Sequence, residues 1–260
     1  MAGIGPLIQL VAVGEQNVYL DLLPQVTPWV RVWKRHTPFA MVTQELLFPT
    51  GLDFGQKSVV EIPKSGDMLG EVYLELTLPA LGFAGTWVDT VGYALLETVK
   101  LFFGDTLVHD QDRCWYDLYD RVYLSEGKRG ATSQMVGRGV NLSTAVPQLL
   151  YVPLHFFFTR VDGPARLRLP LTAMTNTLIR LELTLASLSD LVVGSPAFAA
   201  PPSLVEPKLL LNYAFVDDQE TQALLATATD LLIEQSVSEL TYNYLVENTL
   251  TQAIQPTVTV

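Results

Sequence analysis

Cysteine is almost absent. Cys114 stands alone in 260 residues, which excludes an internal disulfide and any zinc site built on several cysteines. Histidine is nearly as scarce: His36, His109 and His155 share no motif, so the histidine-and-carboxylate set of a cupin-type enzyme has little basis. Charge is thin at 17% of residues, and positive charge is thinner, with 16 Lys and Arg against 27 Asp and Glu for a formal net charge of -11. A duplex-binding surface needs several cations on one face to displace phosphate counterions, and no Lys/Arg tract of that kind exists here. From Pro201 onward eight acidic residues face one basic residue, Lys208, so this segment alone carries -7. No Lys or Arg precedes Arg31, so the positive n-region of a secretory signal is not written at the start. No apolar run reaches membrane-spanning length, and the most apolar stretch, residues 149–158, is broken by Pro153 and His155. A soluble chain of cytosolic origin is the expectation. Helical periodicity is scarce as well.

What the chain does have is apolar bulk, at 49% hydrophobic and 10% aromatic residues, enough for a sizeable core. With so little charge to dress the surface, part of it is expected to end up against a partner. Period-two alternation recurs: "GEVYLELTLP" puts Val72, Leu74, Leu76 and Leu78 on one face, and "LIRLELTL" does so with Ile179, Leu181, Leu183 and Leu185. "KSVVEIP", "TVKLFFGDTLVHD", "LLYVPLHFFFT" and "ARLRLPLTA" are further strands between turn residues, the second a hairpin with Gly104 and Asp105 at positive-φ positions. In "RCWYDLYDRVYL", Trp115, Leu118, Tyr119 and Val122 fall at helical spacing and predict a short helix packed on the sheets by that face. A second helix starts near Asp217 or Asp218. The proline-rich residues 194–207 read as a connecting segment. About eight to ten strands up to Val216 make the fold class all-β, a jelly-roll β-sandwich with short helices.

Patterns that hint at chemistry are individually weak. His109 and Cys114 are close in sequence but lack a nucleophile signature. His109, Asp110 and Asp112 read as a solvated turn before they read as metal ligands. "DFG" stands without the other kinase motifs, and Gly3-Ile4-Gly5 lacks the third glycine of a dinucleotide site. Glu71 and Glu75 share a strand face, where glycosidases keep paired carboxylates, yet alternating Glu on an exposed strand is the simpler explanation. Asn141-Leu142-Ser143 is a glycosylation triplet of a kind that chance produces often.

One cluster stands out. "VRVWKRHTPFAM", residues 30–41, gathers Arg31, Lys34, Arg35 and His36 between aromatic flanks in an otherwise acidic chain. Here a resemblance enters. "LIQLVAVGEQNVYL", "PQVTPWVRVWKRHTPFAM" and "DFGQKSVVEIPKSGDMLGEVYLELTLPAL" resemble the N-terminal region of the major capsid proteins of nucleocytoplasmic large DNA viruses. "VGYALLETVKLFFGDTLVHD", "LLYVPLHFFFTR" and "LNYAFVDDQETQALLATATDLLIEQ" continue the likeness in order, over most of residues 7–235. Pro38 replaces the family's Asn, and Trp29 and Trp33 stand at its Phe and Tyr positions.

The resemblance implies the first jelly roll of a double jelly-roll capsid subunit, without enzymatic activity or cofactor. It implies residues 1–26 as an N-terminal arm, 27–213 as the jelly-roll domain, and 214–260 as a linker with the incomplete start of a second jelly roll, or a C-terminal arm. The implied partners are two further copies in a homotrimeric, pseudo-hexagonal capsomer, neighbouring capsomers, minor capsid proteins and, through these, the internal viral membrane; no direct nucleic-acid contact is implied. The implied location is the virion shell, assembled in host cytoplasm. Trp29, Arg31, Trp33, Lys34, Arg35, His36 and Phe39 are then candidate subunit-interface residues, the alternative being a solvated basic strand edge. A carbohydrate-binding jelly roll and a minor capsid protein remain the alternative functions.

Overall fold

A computed structural model of the chain describes residues 37–82, 85–159, 168–174, 176–193, 202–226 and 233–235. Their strands are β1 (Phe39–Leu47), β2 (Lys57–Glu61), β3 (Met68–Leu78), β4 (Leu96–Phe103), β5 (Thr106–Asp112), β6 (Gln148–Leu154), β7 (Leu169–Pro170), β8 (Ile179–Leu185) and β9 (Val205–Val216). Their helices are α1 (Val91–Ala94), α2 (Arg113–Tyr123), α3 (Glu126–Val136), α4 (Leu188–Leu191) and α5 (Asp218–Ala226).

All pairings are antiparallel. One sheet runs β1-β9-β3-β6, with β7 also on β3, and the other runs β2-β8-β4-β5. Leaving aside the two-residue β7, the chain crosses between the sheets at every step except β4 to β5. That alternation makes a jelly roll rather than a meander. The period-two pattern explains why the two sheets meet. Leu74, Leu76 and Leu78 of β3 and Ile179, Leu181, Leu183 and Leu185 of β8 have no accessible surface, while Tyr73, Glu75, Arg180 and Glu182 point outward and stay half-exposed. Each buried leucine contributes about 1.5–3 kcal/mol by leaving water.

Several local expectations needed revision. In the β4–β5 hairpin only Gly104 takes positive φ (60°); Asp105 does not, which fits a turn with its left-handed residue in first position. The helix expected after Asp112 is present, and the Asp112 side chain accepts the Trp115 N–H at 2.8 Å to cap it. Its buried face, however, is Tyr116 and Asp120, and the expected contacts Leu118 and Val122 are 53% and 63% exposed. The described part of "ARLRLPLTA", from Arg168 on, contributes only the two-residue β7, and β6 ends at Leu154, before the Phe156–Phe158 aromatics. The end of the proline-rich segment is strand, since β9 begins at Val205. Asp217 starts α5 as expected, its carbonyl accepting the Thr221 N–H.

Candidate functional site

The two sheets present different outer faces. On the β2-β8-β4-β5 sheet, Val59, Glu182, Lys100 and Asp110 stand side by side, with Lys57–Glu182 (2.7 Å) and Lys100–Asp110 (3.0 Å) as ion pairs. In the next row Arg180 pairs with Asp105 (2.9 Å) and lies over the Phe102 ring. This is a solvated face. On the other sheet the corresponding rows are Leu47, Lys208, Glu75 and Tyr151, then Glu45, Leu210, Tyr73 and Pro153. Lys208 is the cation of these two rows, held between Glu45 (3.1 Å) and Glu75 (3.2 Å), which raise its pKa. The edge strand β1 adds Phe39 (57% exposed), Met41, Val42 and Leu47 (68%). A surface poor in charge and rich in exposed aliphatic and aromatic groups is the type found beneath a partner.

Of the interface residues expected from sequence, Trp29, Arg31, Trp33, Lys34, Arg35 and His36 lie outside the described residues. Phe39 opens β1 opposite Val216. The antiparallel register therefore sets the head of β1 beside the tail of β9, where acidic groups gather. Asp67 accepts the Val216 N–H (3.0 Å), and Asp217, Asp218 and Glu220 come directly after it in the chain.

The residues weighed for chemistry are separated by the fold. Cys114 is exposed at the start of α2, and burial and the Asp112 charge push its thiol pKa up, away from a nucleophilic thiolate. His109 instead lies between the Phe156 and Phe157 rings and accepts the Phe157 N–H at Nε2 (3.3 Å). Asp110 serves Lys100 and Asp112 caps α2, so the three acidic or imidazole groups of that turn hold three different positions. Glu71 accepts from Asn212 (2.9 Å) and Glu75 binds Lys208, both as cross-strand ties.

One constellation was not apparent in the sequence. Asp120, fully buried on α2, has His155 Nε2 at 3.4 Å and Arg138 Nη1 at 3.7 Å, while Arg138 Nη2 donates to Asp117 (2.7 Å). Tyr93 lies 3.3 Å from His155, and burial followed by the Asp120 charge drives its pKa far up. Tyr116 donates to Gln111 (2.8 Å), which in turn donates to the His155 carbonyl. The network joins α1, α2, β5, the residue after β6 and the residue pair after α3, and Asp120, Arg138 and His155 stand 17–35 positions apart. It flanks a cleft of about 210 Å³ between the helices and the β3–β6 surface, walled by Tyr73, Tyr119, Lys128 and His155. Tyr119 stacks on His155 at 4.1 Å between ring centres. Among the described residues no serine or cysteine joins these groups, and their contacts are those of a buried polar brace.

Comparison with known proteins gives a consistent picture. The family model described as "Major capsid protein N-terminus" matches residues 27–217. "Capsid protein 1" of Acanthamoeba polyphaga mimivirus is 31% identical over 258 residues, covering 89% of this chain and 43% of that protein. The major capsid protein of Paramecium bursaria Chlorella virus 1 is 32% identical over 235 residues, covering 89% of this chain and 52% of its own length. The chain thus spans about half the length of the curated relatives it matches. Among solved structures, VP54 of PBCV-1 aligns with a TM-score of 0.71 at 27% identity, over 80% of this chain and 50% of that one. The Faustovirus major capsid protein aligns at 0.62 with 10% identity, over 81% and 59%, a likeness of fold alone.

Proposed function

The chain belongs to the family of the major capsid protein N-terminus, and from that premise we propose that it is a structural subunit of an icosahedral viral capsid. The observation that carries this is the jelly-roll sheet order of a chain that aligns with a solved capsid protein at a TM-score of 0.71. The relatives bear the names of shell proteins, and the subunit works by shape, apolar contact and symmetry rather than by catalysis. Its location is the virion shell, with assembly in the host cytoplasm. Its unit is a trimeric, pseudo-hexagonal capsomer that meets neighbouring capsomers and, at its base, minor capsid proteins next to the internal membrane. Residues 1–26 serve as an arm, 27–213 as the jelly roll, and 214–260 as the link into a second jelly roll or as a C-terminal arm.

Within this reading, Trp29, Arg31, Trp33, Lys34, Arg35, His36 and Phe39 form a subunit contact. Acidic groups of the opposite sign, Asp67, Asp217, Asp218 and Glu220, gather at the tail of β9 beside Phe39 and support it. Native mass spectrometry of the protein isolated from its source tests the capsomer: a trimer is expected, and a monomer at every concentration would overturn it in favour of a minor shell component or a carbohydrate-binding module. Replacing Arg31, Lys34 and Arg35 together by Ala should leave the circular-dichroism spectrum unchanged, weaken assembly and flatten its salt dependence. Unaltered capsomer stability in that variant would remove the proposed contact.

A further inference from the structure

Arg168 is a cation that the fold positions but does not neutralise. It stands just before β7, whose pairing with Met68 and Leu69 brings it to the β1-β9-β3 sheet. There β3 is irregular: its register with β9 jumps from Leu69 to Val72, and Gly70 falls in the gap. A Cβ on Gly70 would lie 2.8 Å from Arg168 Nη1 and 3.3 Å from its Cζ, so the guanidinium rests on the glycine backbone. Nη1 is buried there without a hydrogen-bond partner, and Nη2 reaches Met41 Sδ, a weak acceptor on the outer face of β1, at 3.7 Å. Glu71, the residue after the glycine, takes the Asn212 amide instead (2.9 Å). Lys57, Lys100, Arg180 and Lys208 on the outer faces each hold a carboxylate at 2.7–3.2 Å, whereas among the described residues Arg168 has none.

A half-buried guanidinium fixed in one place without a counter-charge has lost part of its hydration and gained nothing in return. Its planar fork suits a carboxylate, which can take two N–H groups at once. We infer that Arg168 is the receptor for an Asp or Glu carboxylate of a second copy of this chain, at a contact that covers the outer face around Met41 and Phe39. The inference rests on the capsid-subunit reading, which supplies the copies. Two observations select this occupant. Phe39, 57% exposed and on the same face of β1 as Met41, is one of the proposed subunit-contact residues, so the Arg168 site continues that contact. Two copies of net charge -11 also repel one another, and a fixed cation inside their contact offsets that repulsion where 27 acidic side chains per copy can supply its partner.

Cross-linking of the full chain, prepared as an equal mixture of light and heavy-nitrogen protein, tests this. In Arg168→Lys a carbodiimide can join the new amine to a carboxylate that touches it. Peptide pairs joining position 168 to an acidic segment are expected, with about half of them combining a light and a heavy chain. Pairs that never mix the labels would place the carboxylate in the same copy and overturn the inference. So would the absence of any pair at position 168 while native mass spectrometry still shows trimers; in both cases the capsid reading stands. Monomers of wild type at every concentration would overturn both. A second measurement needs no cross-link: Arg168→Gln should raise the subunit concentration at which trimers dissociate by about thirtyfold or more. Gly70→Ala, which keeps the charge but pushes the fork off its seat, should move it in the same direction. Unchanged dissociation in both variants would equally sink the proposed contact.

Discussion

His109 is a histidine that the fold holds neutral. Its ring is buried between two phenylalanines, its Nε2 lone pair accepts the Phe157 N–H, and burial pulls its pKa from 6.5 down to about 4. The unfolded chain takes up this proton as the pH falls through 6.5, whereas the folded chain resists until about 4. Stability must therefore decline across that window, by about 3 kcal/mol in full below it. Urea unfolding at pH 7, 5.5 and 4.5 should show the decline in wild type and a shallower one in His109→Gln, whose amide oxygen can still accept from Phe157. The role of His109 could not be read from its spacing to Cys114 or Asp112. Its partners come from the turn after β6, almost fifty residues further along.

At the level of elements, helices α2 and α3 are fastened to the sandwich by Tyr116 and Val136 in the core and, beside them, by the Asp120 network. Arg138→Met would leave the Asp120 carboxylate buried without its guanidinium neighbour, the His155 ring staying 3.4 Å away. Breaking a buried pair in this way costs about 3–5 kcal/mol. The double variant Arg138→Met with Asp120→Asn should recover part of that loss, and a double-mutant cycle from chemical denaturation measures the coupling. This network also explains why the sequence placed α2 correctly but turned its face the wrong way. Leu118 and Val122 made the apolar stripe, while the inward positions went to a tyrosine and an aspartate whose partners lie on other elements. β3 and β8 were legible because alternation alone decides which residues meet the opposite sheet. β1 was not, since Phe39, Met41, Thr43, Glu45 and Leu47 mix polar and apolar residues on one face. The start of β9 was hidden by Pro207. It is tolerated because β1 ends opposite Lys208 and the β3 pairing is irregular there, so no ladder bond requires its missing N–H.

At the scale of the whole molecule, β9 is the strand on which one sheet depends, lying between β1 and β3. Leu209 and Leu211 have no accessible surface, and Leu209→Ala should cost about 2–5 kcal/mol in chemical denaturation. Because β1 has β9 as its strand neighbour, that substitution should raise hydrogen exchange in β1 and β3 together, whereas β2 and β5 respond only through global unfolding. The chain order of the sheet could not be derived from the strands themselves. It comes from connections that cross between layers, and period-two patterns carry no label for the partner strand.

The pairing of Phe39 with Val216 also sets a clock for biosynthesis. At about 5–20 residues per second, the ribosome needs roughly ten to thirty seconds between making the first strand and making the one that pairs with it. Non-local β domains close in milliseconds to seconds once complete, so translation rather than folding determines how long the leucine face of β3 stays open. Nascent chains stalled before Leu209 should thus present that face to chaperones, and chains released beyond Val216 should not.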